Sequence, residues 1–344
     1  MRIAVDIMGG DHGPDVILRG CIDALEIIAP EDEIVLVGPR ETIEEILEEK
    51  GIADTRLSIH HASDVIAMDE SPARAVRSKP DSSIVQMALL GSKKVENPVD
   101  VVLSAGNTGA CVSAAIMQMK RLPFAHRPGI AVTIPAFHGP VVLCDAGANP
   151  EPKATHLWQY GIMADIYAQK VLGIENPRVG VMNIGSEEGK GTDIIQETRE
   201  LLDNTPDLNC IGYVEGRDFF DGVADVIVTD GFMGNAMLKM AEGLAKSLFA
   251  AIAQEIFEID PDLAVQFEPV VKRIYAKNDY HEHGGAPLLG VNGACMIAHG
   301  SSEARTMKAA IRNSLNFVRA NVNEHIIHRL EQAEATRKPE REPA

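Results

Sequence analysis

The sequence predicts an α/β fold, with a mostly parallel sheet flanked by helices on both faces. Short β-branched segments alternate with longer amphipathic segments, which is the pattern of parallel strands joined by helices. Segments 99–103 and 226–228 are almost wholly apolar, and strands that are covered on both faces have this composition. A chain of 344 residues is long enough for one large α/β unit, which we predict over residues 1–330.

Each element follows from its local pattern, taken in chain order. Aliphatic runs bounded by Gly, Asn or Asp predict strands at residues 2–8, 33–37, 57–60, 99–103, 130–134, 141–144, 178–182, 208–213 and 226–229. Apolar residues at helical spacing predict helices at residues 15–28, 41–50, 82–95, 110–120, 155–171, 193–203, 233–257 and 302–321. The stretch from about 236 to 280 is expected to leave the sheet as a helical hairpin. Residues 331–344 are polar and are expected to form a disordered tail.

Composition excludes several classes of protein. The 32 basic and 50 acidic residues give a net charge of −18, and aromatic residues make up only 4%, so no nucleic-acid partner is expected. No run of about 18 apolar residues occurs, and a strand begins at Arg2, so neither a membrane span nor a signal peptide is predicted. The five cysteines have no CxxC spacing, which is typical of reduced thiols in a cytoplasmic protein.

Six loops that follow predicted strands are rich in Gly, Asn, Asp and Thr. They lie at residues 8–14, 104–110, 145–149, 183–191, 230–235 and 299–302. If the sheet is parallel, these loops converge at one edge, where ligands of such sheets bind. Glycines let the backbone approach a ligand, and the N–H groups at the start of a following helix favour anions. The alternative for each single loop is an ordinary tight turn.

Several kinds of site have no motif in this chain. There is no GxSxG elbow of an α/β hydrolase and no GxGxxG dinucleotide fingerprint. Residues 185–191 are similar to a nucleotide phosphate loop but are one residue short and lack the Ser or Thr after Lys190. Neither HExxH nor a Cys/His spacing for zinc is present. We therefore predict no metal and no cofactor.

In this order, the six loops resemble the phosphate acyltransferase family of bacterial phospholipid synthesis. The segments that carry the resemblance are MRIAVDIMGGDHGP at the start, LSAGNTGA, DAGAN, NIGSEEGKG, VTDGFMGN and AHGSS, within residues 1–325. The resemblance implies a fold similar to those of isopropylmalate dehydrogenase and phosphotransacetylase, and a homodimer. It implies conversion of acyl-acyl carrier protein (acyl-ACP) and inorganic phosphate to acyl phosphate and ACP. It further implies delivery of the acyl phosphate to a membrane glycerol-3-phosphate acyltransferase, which leads to phosphatidic acid.

This chemistry fits residues of the loops. Phosphate is itself a nucleophile near neutral pH, so the enzyme has to position it against the thioester carbonyl and stabilise the oxyanion. As catalytic residues we predict Lys190 as the phosphate counter-charge, Asn235 as an amide donor, and His12 and Asp11 for proton handling or orientation. The predicted substrate- and phosphate-binding residues are Gly10, Asn107, Thr108, Asn149, Gly189, Asp230, His299 and Ser301. The alternatives are a solvated lysine at 190 and a packing histidine at 12.

Two further segments could contact partners. Arg74, Arg77 and Lys79 form a compact basic stretch in an acidic chain, so they could dock the acidic carrier protein, unless they are only a solvated helix face. The helix at 233–257 carries an apolar stripe that includes Leu244 and Leu248. The resemblance to the family implies that this region contacts the inner face of the cell membrane. Here the tip at 255–262 is acidic, which anionic lipid repels. A buried or dimer-packing helix is the alternative.

Two rival functions remain at the level of sequence. The first is a metal- and NAD-dependent hydroxyacid dehydrogenase on a similar fold, with Asp145, Asp225 and Asp230 as the available acidic residues. The second is a non-catalytic scaffold that recruits lipid-synthesis enzymes to membranes, which would tolerate loss of the Gly/Asn loops.

Overall fold

The computed structural model describes residues 1–136, 138–277 and 284–337. Its strands are β1 (Arg2–Asp6), β2 (Glu33–Gly38), β3 (Leu57–His61), β4 (Val101–Ser104), β5 (Gly129–Ala136), β6 (Gly139–Cys144), β7 (Val179–Asn183), β8 (Cys210–Glu215), β9 (Val226–Val228), β10 (Ala286–Leu289) and β11 (Ala294–Ile297). Its helices are α1 (Gly13–Ala24), α2 (Arg40–Glu49), α3 (Pro72–Ser78), α4 (Ser83–Leu90), α5 (Thr108–Gln118), α6 (Ala154–Val171), α7 (Asp193–Asp203), α8 (Gly231–Ile259), α9 (Pro261–Lys277), α10 (Ala304–Arg319) and α11 (Val322–Thr336).

All eleven strands form one sheet in the order β3-β2-β1-β4-β11-β10-β5-β6-β9-β7-β8. Every neighbouring pair is parallel except the three pairs that involve β10 or β5. The predicted α/β class with a mostly parallel sheet is therefore confirmed. Strand β4, apolar except for Ser104 at its end, and the all-apolar strand β9 are buried at every position, as expected for strands with helices on both faces.

The direction of the chain reverses within the sheet, between β5 and β6. These strands form an antiparallel hairpin in which Ile134 pairs with Val141, and β9 and β7 then run parallel to β6. The carboxyl ends of β6, β9 and β7 therefore lie at the opposite strand ends from those of β1, β4 and β11. The prediction that six loops converge at one edge is wrong, because only six residues separate the predicted strands at 130–134 and 141–144. A parallel crossover needs a dozen or more residues.

The core lies on both faces of the sheet. Helix α6 is buried along most of its length, including Trp158 and Tyr160, and packs against α7 and α11. Four of the five cysteines are buried free thiols, and burial raises the pKa of Cys21 to about 12. These thiols are core residues, as the scattered spacing predicts.

Several elements lack a clear signal in the sequence. Strands β10 and β11 have only four residues each, and β10 contains a proline, so no alternating pattern marks them. The tail predicted from residue 331 is helical as far as Thr336, because Leu330 and Ala333 continue the buried face of α11. The rest of that predicted tail, 338–344, lies outside the described residues.

Helices α8 and α9 occupy the region of the predicted hairpin, whose residues 278–280 lie outside the described part of the chain. The apolar stripe of α8 is exposed, with Met240 at 70%, Leu244 at 66% and Leu248 at 54% exposure. A buried core helix is thus excluded for this segment, while packing against a second copy stays a prediction. In the described ranges, no helix combines the length and apolar character needed to cross a bilayer.

Candidate active site

The loops after β1, β4 and β11 form the first loop group, which is organised around the buried carboxylate of Asp6. Asp6 accepts hydrogen bonds from the hydroxyl of Ser104 at 2.7 Å and from the backbone N–H of Met8 at 3.1 Å. Burial raises the pKa of Asp6. A Cβ on Gly9 would lie 2.6 Å from the backbone nitrogen of Gly106, so only glycine allows the two loops to approach this closely.

The first loop group exposes four of the predicted site residues. The backbone N–H of Asp11 donates to the carbonyl of Gly300 at 2.7 Å, which joins the loops after β1 and β11. The side chains of Asp11 and His12 are exposed at the start of α1. His299 Nδ1 accepts from the backbone N–H of Ser301 at 3.2 Å, so the neutral ring carries its proton on Nε2. Gly10, with φ of +95°, makes the turn before Asp11.

Asn107 has a structural role that the sequence prediction missed. Its Oδ1 accepts from the backbone N–H of Ala110 at 3.0 Å, which caps α5 ahead of Thr108. Its Nδ2 lies 3.1–3.2 Å from the carbonyls of Ala67, Met68 and Glu70. The amide therefore holds the loop that precedes α3, and its N–H donors are already used within the protein.

The loops after β6, β9 and β7 form the second loop group, and its centre is the buried carboxylate of Asp145. It accepts four backbone hydrogen bonds of 2.7–3.1 Å, from the residues Ile130, Gly147, Ala148 and Asn149. Burial raises the pKa of Asp145. A Cβ on Gly234 would lie 2.0 Å from the carbonyl oxygen of Asp145, so the first turn of α8 is fixed against this loop.

Three predicted residues of the second loop group differ in what their side chains can still bind. Asp230 accepts from the backbone N–H of Met233 at 2.8 Å and caps α8. Asn149 Nδ2 donates to the carbonyl of Pro128 at 2.6 Å and to the hydroxyl of Tyr160 at 2.7 Å. Asn235 is exposed on the first turns of α8, above Gly147. Of these three, Asn235 has the exposed side chain, and among the described residues no hydrogen bond engages its amide.

Lys190 lies in a loop that is held from inside by Asn183. The Nδ2 of Asn183 donates to the carbonyls of Gly185 and Lys190, each at 3.1 Å. Gln196 Nε2 donates to the carbonyl of Gly189 at 3.0 Å. Lys190 is exposed, and within the described ranges no carboxylate lies at ion-pair distance from its ammonium group. The loop thus presents one ammonium group outside any ion pair with the described residues, alongside the exposed carboxylates of Glu187 and Glu188.

The register places the Lys190 loop beside the start of α8. Val181 of β7 pairs with Val228 of β9, which sets Asn183 level with Asp230 on the neighbouring strand. Adjacent strands are about 4.8 Å apart. The structure therefore brings Lys190, Gly189, Asn149, Asp230 and Asn235 to one end of the sheet. The others, Gly10, Asp11, His12, Asn107, Thr108, His299 and Ser301, lie at the opposite strand ends.

The predicted carrier-docking stretch lies on and just after α3, which packs against α5. Arg74 and Arg77 are exposed. Lys79 instead donates to the carboxylate of Glu70 at 2.7 Å and to the carbonyl of Val65 at 2.8 Å. The hydrogen bond from Lys79 lowers the pKa of Glu70. Lys79 thus holds a loop, and a docking surface has to rest on the two arginines.

Three residues organise these loops: Asp6, Asp145 and Asn183. From the sequence, Asp145 was named only as an acidic residue available to a dehydrogenase, and the other two were missed. Each is a polar residue at the carboxyl end of an otherwise apolar strand. That position is a usable signal, because a buried polar group at a strand end has to find partners in the following loop.

The acidic residues needed by a metal-dependent dehydrogenase are engaged elsewhere. Asp145 is bound by backbone N–H groups, Asp230 caps α8, and Asp225 accepts two hydrogen bonds from the Arg178 guanidinium at 2.8 and 2.9 Å. Across the described residues, no three His, Cys, Asp or Glu side chains converge as metal ligands would. The residues of this chain therefore do not favour that rival.

Solved structures of low sequence identity share this fold. A phosphotransacetylase from Streptococcus pyogenes has a TM-score of 0.61 at 17% identity and covers 94% of each chain. A branched-chain phosphotransacylase from Enterococcus faecalis has a TM-score of 0.52 at 14% identity, over 92% of this chain and 99% of its own. The fold is that of the phosphotransacetylases, as predicted.

Sequence comparison defines the family. Residues 1–325 match the family described as "Fatty acid synthesis protein". The phosphate acyltransferase of Dictyoglomus turgidum is 42% identical over 334 residues, 96% of this chain and 98% of its own. That of Desulfitobacterium hafniense is 44% identical over 329 residues, 95% of this chain and 96% of its own. The chain belongs to this family, and the resemblance to phosphate acyltransferases is confirmed.

Proposed function

We propose that this protein transfers an acyl group from ACP to inorganic phosphate and thereby supplies acyl phosphate for phospholipid synthesis. The observation that carries the proposal is that Lys190 and Asn235 lie in loops that follow the neighbouring strands β7 and β9 at one end of the sheet, and that both side chains are exposed. A cation and an amide donor on neighbouring loops match the two needs of the reaction, which are a bound phosphate and a stabilised oxyanion. Membership of the family supports the same activity.

The proposed reaction balances without a protein nucleophile. A phosphate oxygen attacks the thioester carbon while Lys190 holds the anion, and the amide of Asn235 donates to the developing oxyanion. The carbon–oxygen bond forms, the carbon–sulfur bond breaks, and the electron pair leaves on the sulfur of the carrier arm. A thiol has a pKa of about 8.5, so this thiolate is a good leaving group and takes its proton from water or from phosphate.

The first loop group has a different proposed part. Asp11 and His12, predicted as catalytic residues, and His299 and Ser301, predicted for binding of substrate, stay predictions. Asn107 ties this group to the loop before α3, which makes the surface of Arg74 and Arg77 continuous with it. We assign carrier docking to this side.

The proposal predicts the effect of Lys190→Ala. The variant should lose roughly 10²-fold or more in kcat/KM for phosphate, which is the scale of losing a preorganised charge. Acyl phosphate formed from acyl-ACP and phosphate is trapped with hydroxylamine and quantified. Lys170→Ala, at the exposed end of α6, is the matched control and should stay within threefold of the parent.

A result within threefold for Lys190→Ala, with phosphate KM unchanged, would overturn the assignment of Lys190. Absence of any trapped product from the unmodified protein would instead favour the scaffold alternative.

Partners beyond the substrates belong to the proposal as well. We propose a homodimer that uses the exposed apolar face of α8 and α9, and delivery of acyl phosphate to a membrane glycerol-3-phosphate acyltransferase. The acidic tip at 255–262 opposes tight contact with anionic lipid, so association at the inner face of the cell membrane should be weak. Light scattering tests the dimer, and flotation with anionic vesicles tests the membrane contact.

A further inference from the structure

A cleft lies apart from the reacting loops, between the α5–β5 connection and α11. It has a volume of about 780 Å³, within the range of small-molecule sites. Its apolar wall includes Ile116, Leu122 and Phe124, and its polar groups include Lys120 and Arg121. We call it the α5–β5 cleft.

The connection that lines this cleft is held in a strained shape. Lys120 has φ of 71° and Phe124 has φ of 65°, a region that residues with bulky side chains seldom adopt. Phe124 also leaves 45% of its surface exposed. Strain of this kind persists only where surrounding bonds over-determine the backbone, and it concentrates at ligand sites.

Those surrounding bonds come from a fully buried side chain. Gln159 accepts from the backbone N–H of His126 at 2.7 Å and donates to the carbonyl of Phe124 at 2.9 Å. It also donates to Glu334 at 2.9 Å, and Glu334 pairs with His126 at 3.2 Å and with Arg337 at 3.3 Å. The Glu334 carboxylate that lines the cleft is therefore already paired with the Arg337 guanidinium.

Two positive charges remain at the cleft. Lys120 donates to the carbonyl of Met117 at 2.7 Å, and the Arg121 guanidinium donates to the carbonyl of His126. In the described ranges, neither has a carboxylate at ion-pair distance. Burial, followed by the charge of Arg127, lowers the pKa of nearby His156 to about 4, and Lys153 and Arg121 add to the same effect.

We propose that the α5–β5 cleft binds an amphipathic anion, with a phosphate or carboxylate head held by Lys120 and Arg121 and an apolar body against Phe124 and Leu122. An acyl phosphate and a free fatty acid share this chemistry. The site does not depend on the reaction proposed above, because none of its residues belongs to the reacting loops.

Trp158, the only tryptophan of the chain, does not line this cleft but can report on it through Arg337. The guanidinium of Arg337 lies 5.8 Å from the centre of its ring, and Arg337 pairs with Glu334 in the cleft wall. Dodecyl phosphate and dodecanoate, below their micelle concentrations, should change Trp158 emission saturably. Inorganic phosphate and neutral dodecyl maltoside should not. Binding by either anion supports the site, and the tighter of the two identifies the head group.

Charge removal tests the assignment of the head-group site. Lys120→Asn with Arg121→Gln should weaken binding by at least about tenfold, the scale of losing charge-assisted hydrogen bonds, and Asn tolerates the positive φ at 120. Arg217→Gln, on the exposed turn after β8, is the matched control and should bind as the parent does. Lys190→Ala should also bind normally, which separates this site from the reaction site.

Equal affinity for dodecyl maltoside, or unchanged binding by the double variant, would refute the proposal. If the double variant does not fold, a photoreactive dodecyl phosphate is cross-linked to the unmodified protein. Labelling of peptides that lack residues 116–126, 292 and 334 would refute it equally.

Discussion

Asn183→Ala tests whether the loop that carries Lys190 is held in place for catalysis. Asn183 is buried at the end of β7, where its side chain donates to two carbonyls and accepts from the backbone N–H of Ile184 at 2.9 Å. At about 1 kcal/mol net for each hydrogen bond, loss of the three lowers the free energy of unfolding by about 3 kcal/mol. Gly189 and Gly191 are in left-handed conformations, so the released loop has many alternatives.

The catalytic effect of Asn183→Ala follows from the freedom of Lys190. A displacement of about 1 Å at a reacting group can cost roughly 10²-fold in rate, so kcat/KM for phosphate should fall by about that factor. Urea unfolding followed by Trp158 fluorescence gives the stability, and hydroxylamine trapping at varied phosphate gives the kinetics. Asn204→Ala removes one exposed hydrogen bond at the end of α7 and should change neither by much. Loss of stability with unaltered phosphate kinetics would refute the reasoning.

Two other expectations concern charged groups, on α3 and on α6. Reversal of Arg74 and Arg77 to Glu should raise KM for acyl-ACP with kcat nearly intact, and the effect should shrink in high salt, since exposed charges are screened beyond about 10 Å at 0.1 M. An unaltered KM at low salt would rule out docking at α3. Burial raises the pKa of Asp165 on α6 to about 6, so its contribution to stability is full below about pH 4 and is lost as the pH rises through 6. Between pH 4 and pH 7.5, the Asp165→Asn variant should therefore have a higher Tm than the parent. Its free energy of unfolding should be higher by up to about 3 kcal/mol. A gain confined to low pH would contradict this.

The sequence predicted the loops of the candidate site better than their arrangement. Glycine and asparagine at strand ends mark the turns correctly, because few other residues adopt the needed backbone. The short link between β5 and β6 implies that these two strands are antiparallel. The composition of a strand such as 130–134 does not itself show in which direction the strand runs. The grouping of Lys190 with Asn235, and their separation from His12, therefore required the fold.

The roles of single polar side chains were harder to predict. Asn107, Asn149 and Asp230 have the same composition signature as Asn235, yet their side chains bond to the protein itself. What distinguishes Asn235 is its place within α8, about one turn beyond the capping residue Asp230, where its side chain is exposed. Strands β10 and β11 were missed for a related reason, since their pairing depends on neighbours distant in the chain.

Helix α8 begins at the second loop group and extends into solvent. Its 29 residues make it about 43 Å long. It is anchored at its first two turns, where Gly231 and Gly234 fit tightly against the loop after β6 and Met237 and Leu238 pack against the core. Beyond these turns, the apolar face of the helix is exposed, as at Leu244 and Leu248. Because the helix is continuous, a displacement of its apolar outer part, by another copy of the chain or by any other surface, would also displace the turn that carries Asn235. Gly234 packs directly against the carbonyl of Asp145, so its replacement by alanine would push the first turn of α8 away from the loop after β6.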